Sequence, residues 1–115
     1  MRRPEERYAE VVEALVKSPN VSQPTGKRGF GSSGLYAHGK LFAFLSYKKR
    51  LIVKLPSERV DELVAGREGR RFDPRGKGRA LKEWFVLKPS SKMKWLPLAK
   101  EGMRYVVSMA EGETS

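Results

Sequence analysis

The chain has 115 residues, 39% of them hydrophobic, no cysteine, one histidine and a formal net charge of +11, with an isoelectric point near 10.2. That length closes one core and is short for two ordinary domains, and the absence of cysteine excludes disulfide and thiolate chemistry. No apolar run approaches the ~20 residues of a membrane span, and Met1-Arg2-Arg3 leads into charged sequence rather than an apolar signal core, so one soluble, cytoplasmic domain over 1–115 is expected, frayed at 1–3 and 111–115.

Pro4 to Lys17 reads as a helix, because Tyr8, Val11, Val12, Leu15 and Val16 recur at i, i+3, i+4, i+7 and i+8 and make one apolar stripe. Pro4 suits the first turn, and Glu5 and Glu6 suit the positive end of the helix dipole. Residues 18–29 are rich in Pro, Ser and Gly and predict a loop. Residues 29–55 then predict a three-strand antiparallel meander: Leu35 to Ala37, a turn at His38-Gly39, Leu41 to Tyr47, a turn at Lys48-Lys49, and Arg50 to Leu55. Period-two alternation puts Leu41, Ala43, Leu45, Leu51, Val53 and Leu55 on one aliphatic face, expected under the helices. The other face mixes Phe42, Phe44 and Ile52 with Lys40, Arg50 and Lys54. That face is either open, with aromatics exposed among cations, or covered by a loop, a helix or a partner subunit, and the second is preferred because large open apolar patches usually meet something.

Ser57 is the expected N-cap of a second helix with Glu58, Asp61 and Glu62 in its first turns, Val60, Leu63 and Val64 on its buried edge, and Gly66 at its end. Arg70 to Asp73 predicts a short strand, residues 74–78 a loop, and Lys82 to Lys88 a strand rich in Trp, Phe and Val. A last helix follows, with Trp95, Leu96, Ala99, Met103, Val106, Val107 and Ala110 at helical spacing and Pro97 near its first turn. The expected class is α+β, a two-layer α-β(3)-α-β(2)-α domain with a five-stranded, mostly antiparallel sheet.

Residues 1–25 are neutral overall, 26–55 carry +7, 56–66 carry −2, 67–104 carry +8 and 105–115 carry −2. The two basic blocks make a field that attracts polyanions and weakens with salt. The sharpest chemical feature is Arg67, Arg70, Arg71, Arg75, Lys77 and Arg79 with Gly66, Gly69, Gly76 and Gly78 between them. Glycine-flanked cations bring backbone N–H groups and guanidinium forks to phosphates together, although an exposed sheet edge is also kept basic for solubility. Gly29-Phe30-Gly31-Ser32-Ser33-Gly34 matches G-x-G-x-x-G by letter. A dinucleotide fingerprint requires a strand before and a helix after, and here a loop precedes and a strand follows, so turn geometry is the better reading. His38 sits in a turn, no metal-ligand cluster is visible, and Ser32, Ser33, Ser90 and Ser91 have no evident general base. The expectation is a non-catalytic protein without cofactor or metal.

Phe30-Gly31-x-x-Gly34-Leu35-Tyr36, Gly39-Lys40-Leu41-Phe42-Ala43 and Leu51-Ile52-Val53-Lys54 resemble the N-terminal domain of the TfoX/Sxy competence regulators. Phe72-Asp73-Pro74, Lys82-Glu83-Trp84 and Trp95 before the last helix resemble the related YjbR/MmcQ-type small proteins. The resemblance covers most of residues 5–108 and implies the same element order, a non-enzymatic domain and a link to transcription or DNA binding. The separate C-terminal helical domain of full-length TfoX has no counterpart in the 115 residues. Together these readings predict a surface for nucleic acid or a DNA-bound regulator, with Lys48, Lys49, Arg50, Arg67, Arg70, Arg71, Arg75, Lys77 and Arg79 on phosphates and Phe42, Phe44 or Trp84 as stacking or interface residues. The alternative is a homodimer or other protein interface on the aromatic sheet face.

Overall fold

The computed structural model describes residues 3–23, 33–76 and 78–113. Its elements are α1 (Pro4–Leu15), β1 (Val21–Ser22), β2 (Leu35–Ala37), β3 (Lys40–Leu45), β4 (Leu51–Lys54), α2 (Ser57–Ala65), β5 (Gly69–Phe72), β6 (Leu81–Leu87) and α3 (Trp95–Glu113). The six strands form one open sheet in the order β1-β2-β3-β4-β6-β5, with every neighbouring pair antiparallel. The class is the α+β one expected, with three helices, but the sheet has six strands rather than five. The extra strand is Val21–Ser22, inside the stretch read as loop. Two residues between Asn20 and Gln23 carry no periodic signal, and their strand character comes from pairing with Ala37 and Tyr36.

α1 begins at Pro4 and stops at Leu15, two residues earlier than the apolar stripe suggests. Tyr8, Val11 and Leu15 are buried, whereas Val16, just past the end, is 39% exposed. α2 is capped by the backbone of Pro56 rather than by the Ser57 side chain. Gly66 ends it with ordinary negative φ, and Arg67 takes the left-handed conformation at φ 62. α3 accepts Pro97 in its first turn, where a missing N–H costs little.

All three helices lie on one face of the sheet. Their buried side chains, among them Tyr8, Leu15, Val60, Leu63, Leu98 and Val106, form one core with Ala43, Leu51, Val53, Leu55, Phe85 and Leu87 from the strands. Each fully buried large apolar group contributes about 1.5–3 kcal/mol relative to exposure. α3 crosses β3 and β4 at Gly102, where a Cβ would come within 2.6 Å of Val53 Cγ1 and 3.0 Å of the Phe42 and Lys54 carbonyl oxygens. Only a glycine lets the helix backbone approach the strands this closely.

The first hairpin has the two-residue form expected, with His38 at φ 52 and Gly39 at φ 76. The second is wider. The Ser46 N–H donates to the Arg50 carbonyl at 2.9 Å, the Lys49 N–H to the Ser46 carbonyl at 2.8 Å, and the Arg50 N–H to Ser46 Oγ at 3.0 Å. Residues 47–49 form the tip, with Lys49 left-handed at φ 64, a conformation that costs a non-glycine residue about 1–2 kcal/mol.

The alternation in β3 is broken by a bulge. Leu35 pairs with Ala43 but Tyr36 pairs with Leu41, so Phe42 is the extra residue. Phe42 therefore turns into the helix-covered core, at 0% exposure, and Leu41 moves to the other side, packed against Phe44 and Ile52. This corrects the period-two assignment of both residues. Ala43, Leu45, Leu51, Val53 and Leu55 lie on the helix side as expected.

Candidate nucleic-acid interface

On the face away from the helices, Phe44, Ile52 and Val86 form a small second apolar cluster with Leu41, Phe72 and Trp84 packed against it. Cross-strand register aligns Phe44 with Ile52, Ile52 with Val86 and Val86 with Arg70 across four strands, while Lys54 stands opposite Trp84 one row along. Phe44 is only 2% exposed. Its ring meets Phe72 edge-on at 5.8 Å and Trp84 at 5.8 Å and 60°. Trp84 is half-buried and has the Lys54 ammonium 5.3 Å from its ring centre. The aromatics thus satisfy one another. Phe42, in the core, and Phe44, sealed in this cluster, present no ring for stacking, which removes both from the stacking or interface role expected of them.

The cations divide by direction. Arg70 and Arg71 are consecutive in β5, so their side chains leave opposite faces. Arg71 goes to the helix side and forms an ion pair with Asp61 of α2, which corrects its assignment to a phosphate-binding surface. Arg70 is exposed on the face of Ile52 and Val86. The register also fixes the ends. Gly69 lies opposite Leu87, and Val86 opposite Ile52, so Arg67 and Lys88 are at the same end of the sheet as the β3–β4 tip with Lys48, Lys49 and Arg50. Arg75 and Arg79 are at the other end, in the β5–β6 connection. The basic block 67–79 is therefore a track along the edge strand rather than one patch. Its strand part, Gly69–Phe72, runs about 10 Å at strand rise, about three nucleotide steps at 3.4 Å each. Lys77 lies outside the described residues.

The far loop is held by Asp73, whose carboxylate accepts the Gly78 N–H at 2.8 Å and whose carbonyl accepts the Gly76 N–H at 3.2 Å. Gly76 and Gly78 have φ of 63 and 79, which explains glycine at both positions. Arg75 and Arg79 with Pro74 and Leu81 line an open recess of about 720 Å³. Among the described residues, Lys48, Lys49, Arg50, Arg67, Arg70, Arg75 and Arg79 have no carboxylate partner.

The helix side behaves differently. The Arg59 guanidinium donates to Glu101 at 2.8 and 3.2 Å and to Glu62 at 3.1 Å, and chiefly the bond to Glu101 raises its already high pKa. Tyr105 donates to the Glu83 carboxylate, and that hydrogen bond, with burial second, pushes the phenol up to about 12. Burial raises the Tyr8 phenol, which donates to the Ser33 carbonyl at 2.6 Å. Two of the serines weighed as nucleophiles have structural work. Ser33 Oγ donates to the Leu45 carbonyl at 3.0 Å and accepts the Leu45 N–H at 2.9 Å. Ser91 Oγ donates to Glu68 at 2.7 Å and accepts the Met93 N–H at 3.1 Å. Of the glycine-rich stretch 29–34, only Ser33 and Gly34 are among the described residues. Among the described residues there is no group of three potential metal ligands and no helix long and apolar enough to cross a membrane.

Two exposed or half-exposed residues of this surface are absent from the sequence-based site, Lys54 beside Trp84 and Tyr47 at the β3–β4 tip. Alternation marks Lys54 as facing away from the helices. Compared with protein-family models, characterised proteins and solved structures, the chain matches none.

Proposed function

We propose that this chain is a non-catalytic domain that binds nucleic acid through the cation track along β5 and the β3–β4 tip. The observation that carries the reading is the segregation of charge. Among the described residues, the three helices contain ten of the thirteen acidic residues and four of the twenty basic ones, so most of the described positive charge lies in strands, turns and loops. A molecule polarised in this way orients its sheet edge and turns toward a polyanion and its helix layer away from it. The TfoX- and YjbR-like resemblance belongs to the same reading, with a DNA-bound regulator as a protein-side variant of the partner. The aromatic face gives a homodimer less to work with, because Phe42 is in the core and Phe44 is almost fully covered.

The test is the salt dependence of binding to labelled oligonucleotides. If the seven unpaired cations each neutralise one phosphate, log K falls against log salt with a slope of about −6 on duplex and about −5 on single strand. A slope shallower than about −2, or no binding at low salt, rules out the phosphate track.

A further inference from the structure

Tyr47 is 97% exposed, while the only other large apolar side chains classed as exposed among the described residues, Val16 and Leu81, are each at 39%. A tyrosine ring normally settles against neighbouring surface. This one stands clear of the surface on its turn. Two backbone bonds between Ser46 and Lys49 or Arg50, with the Arg50 N–H bonded to Ser46 Oγ, close the tip beneath it, and Arg50 Nη1 adds a bond to the Lys48 carbonyl at 3.4 Å. Lys48 and Lys49 follow directly and are exposed, and Arg50 is half-buried at the base. No acidic residue occurs anywhere between Glu13 and Glu58. A solvated aromatic ring on a closed turn, beside two exposed ammonium groups, fits a ligand with a flat π-face next to negative charge.

We propose that the β3–β4 tip binds a single-stranded nucleic-acid segment, with a base stacked on Tyr47 and the adjoining phosphates on Lys48 and Lys49. This rests on the nucleic-acid reading above and narrows it to unpaired strand. A base inside a duplex has both faces covered by its neighbours, whereas an unpaired base offers one to an aromatic side chain. An anionic membrane would also attract the lysines, but interfacial insertion depends on a broad apolar face. Here a single ring is flanked by Ser46 and Lys48.

The experiment measures the affinity of the full chain for an oligothymidylate of about 15 nucleotides and for a duplex of equal length, over a salt series, with Tyr47→Ala, Tyr47→Phe and Lys48→Ala/Lys49→Ala variants. Loss of one stacked base predicts that Tyr47→Ala weakens single-strand binding about 5- to 100-fold with an unchanged salt slope. Tyr47→Phe stays within about twofold, since the π-face remains. Duplex binding is insensitive to both. Lys48→Ala/Lys49→Ala makes the single-strand slope shallower by about 1.4. If Tyr47→Ala binds the single strand as tightly as the wild type, or loses duplex affinity equally, the stacking site is wrong while the phosphate track stands. If the wild type binds neither oligonucleotide but binds phosphatidylserine vesicles in a Tyr47-dependent way, both readings fall.

Discussion

On the helix side of the sheet, Arg59 bridges Glu62 and Glu101, and Arg71 is paired with Asp61. Along β5 and in the turns, Arg67, Arg70, Arg75 and Arg79 meet no carboxylate among the described residues. Both sets are arginines on a basic protein, but the first set ties helices to one another and to the sheet, and the second keeps its hydrogen-bonding forks in water. Removing a paired cation should therefore change folding, and removing a solvated one should change only what the protein attracts.

The largest expected effect breaks the first side outright. Phe42→Ala deletes a fully buried ring from the helix-covered core and should cost about 3–5 kcal/mol in urea unfolding. Gly102→Ala comes next. The added methyl meets Val53 and two carbonyl oxygens of the strands, so α3 must lift and unfolding should show a loss of about 1–3 kcal/mol. Neither variant should alter the salt slope of nucleic-acid binding by its folded fraction. The third prediction is the mirror image. Arg75→Ala/Arg79→Ala should leave stability within about 0.5 kcal/mol, but make the slope of duplex binding shallower by about 2. Arg59→Ala should do the reverse, with binding unchanged and a loss of about 0.5–1 kcal/mol, modest because the pair is partly hydrated.

The smallest effect is a pH dependence. Tyr105 has its pKa raised to about 12 in the folded state, against about 10 for an unfolded tyrosine. Its folded form holds the proton more tightly, so this stabilisation is complete below pH 10 and is lost as pH rises from 10 towards 12. Chemical denaturation at stepped alkaline pH should show that decline, and Tyr105→Phe should flatten it. A decline of equal slope in the variant would assign it to other groups, Tyr8 among them.

Much of this was legible in the sequence, and the failures have specific causes. Period two correctly separated Ala43, Leu45, Leu51, Val53 and Leu55 from Phe44 and Ile52. It misplaced Leu41 and Phe42 because a bulge adds a residue that no local pattern marks. Arg71 was grouped with Arg70 by charge, yet adjacency in a strand already implied opposite faces. Val21–Ser22 exists only through its pairing with β2. The turn at 47–49 read as a two-residue link because its left-handed residue is a lysine instead of the usual glycine or asparagine. That misreading also hid Tyr47, which looked like the end of a strand rather than the exposed shoulder of a turn.

An open sheet of six strands leaves two outer strands with backbone groups turned to solvent, a standing invitation to pairing between molecules. At one margin the invitation is two residues long, Val21–Ser22, too short to template another chain. At the other it is Gly69–Phe72, where Arg70 and Arg71 sit beside an irregular register. Two copies meeting along that margin would bring their unpaired Arg70 guanidinium groups together before any hydrogen bond could form. The cations proposed to draw in a polyanion should thus also oppose edge-to-edge pairing at high concentration, and neutralising them should raise the tendency to aggregate.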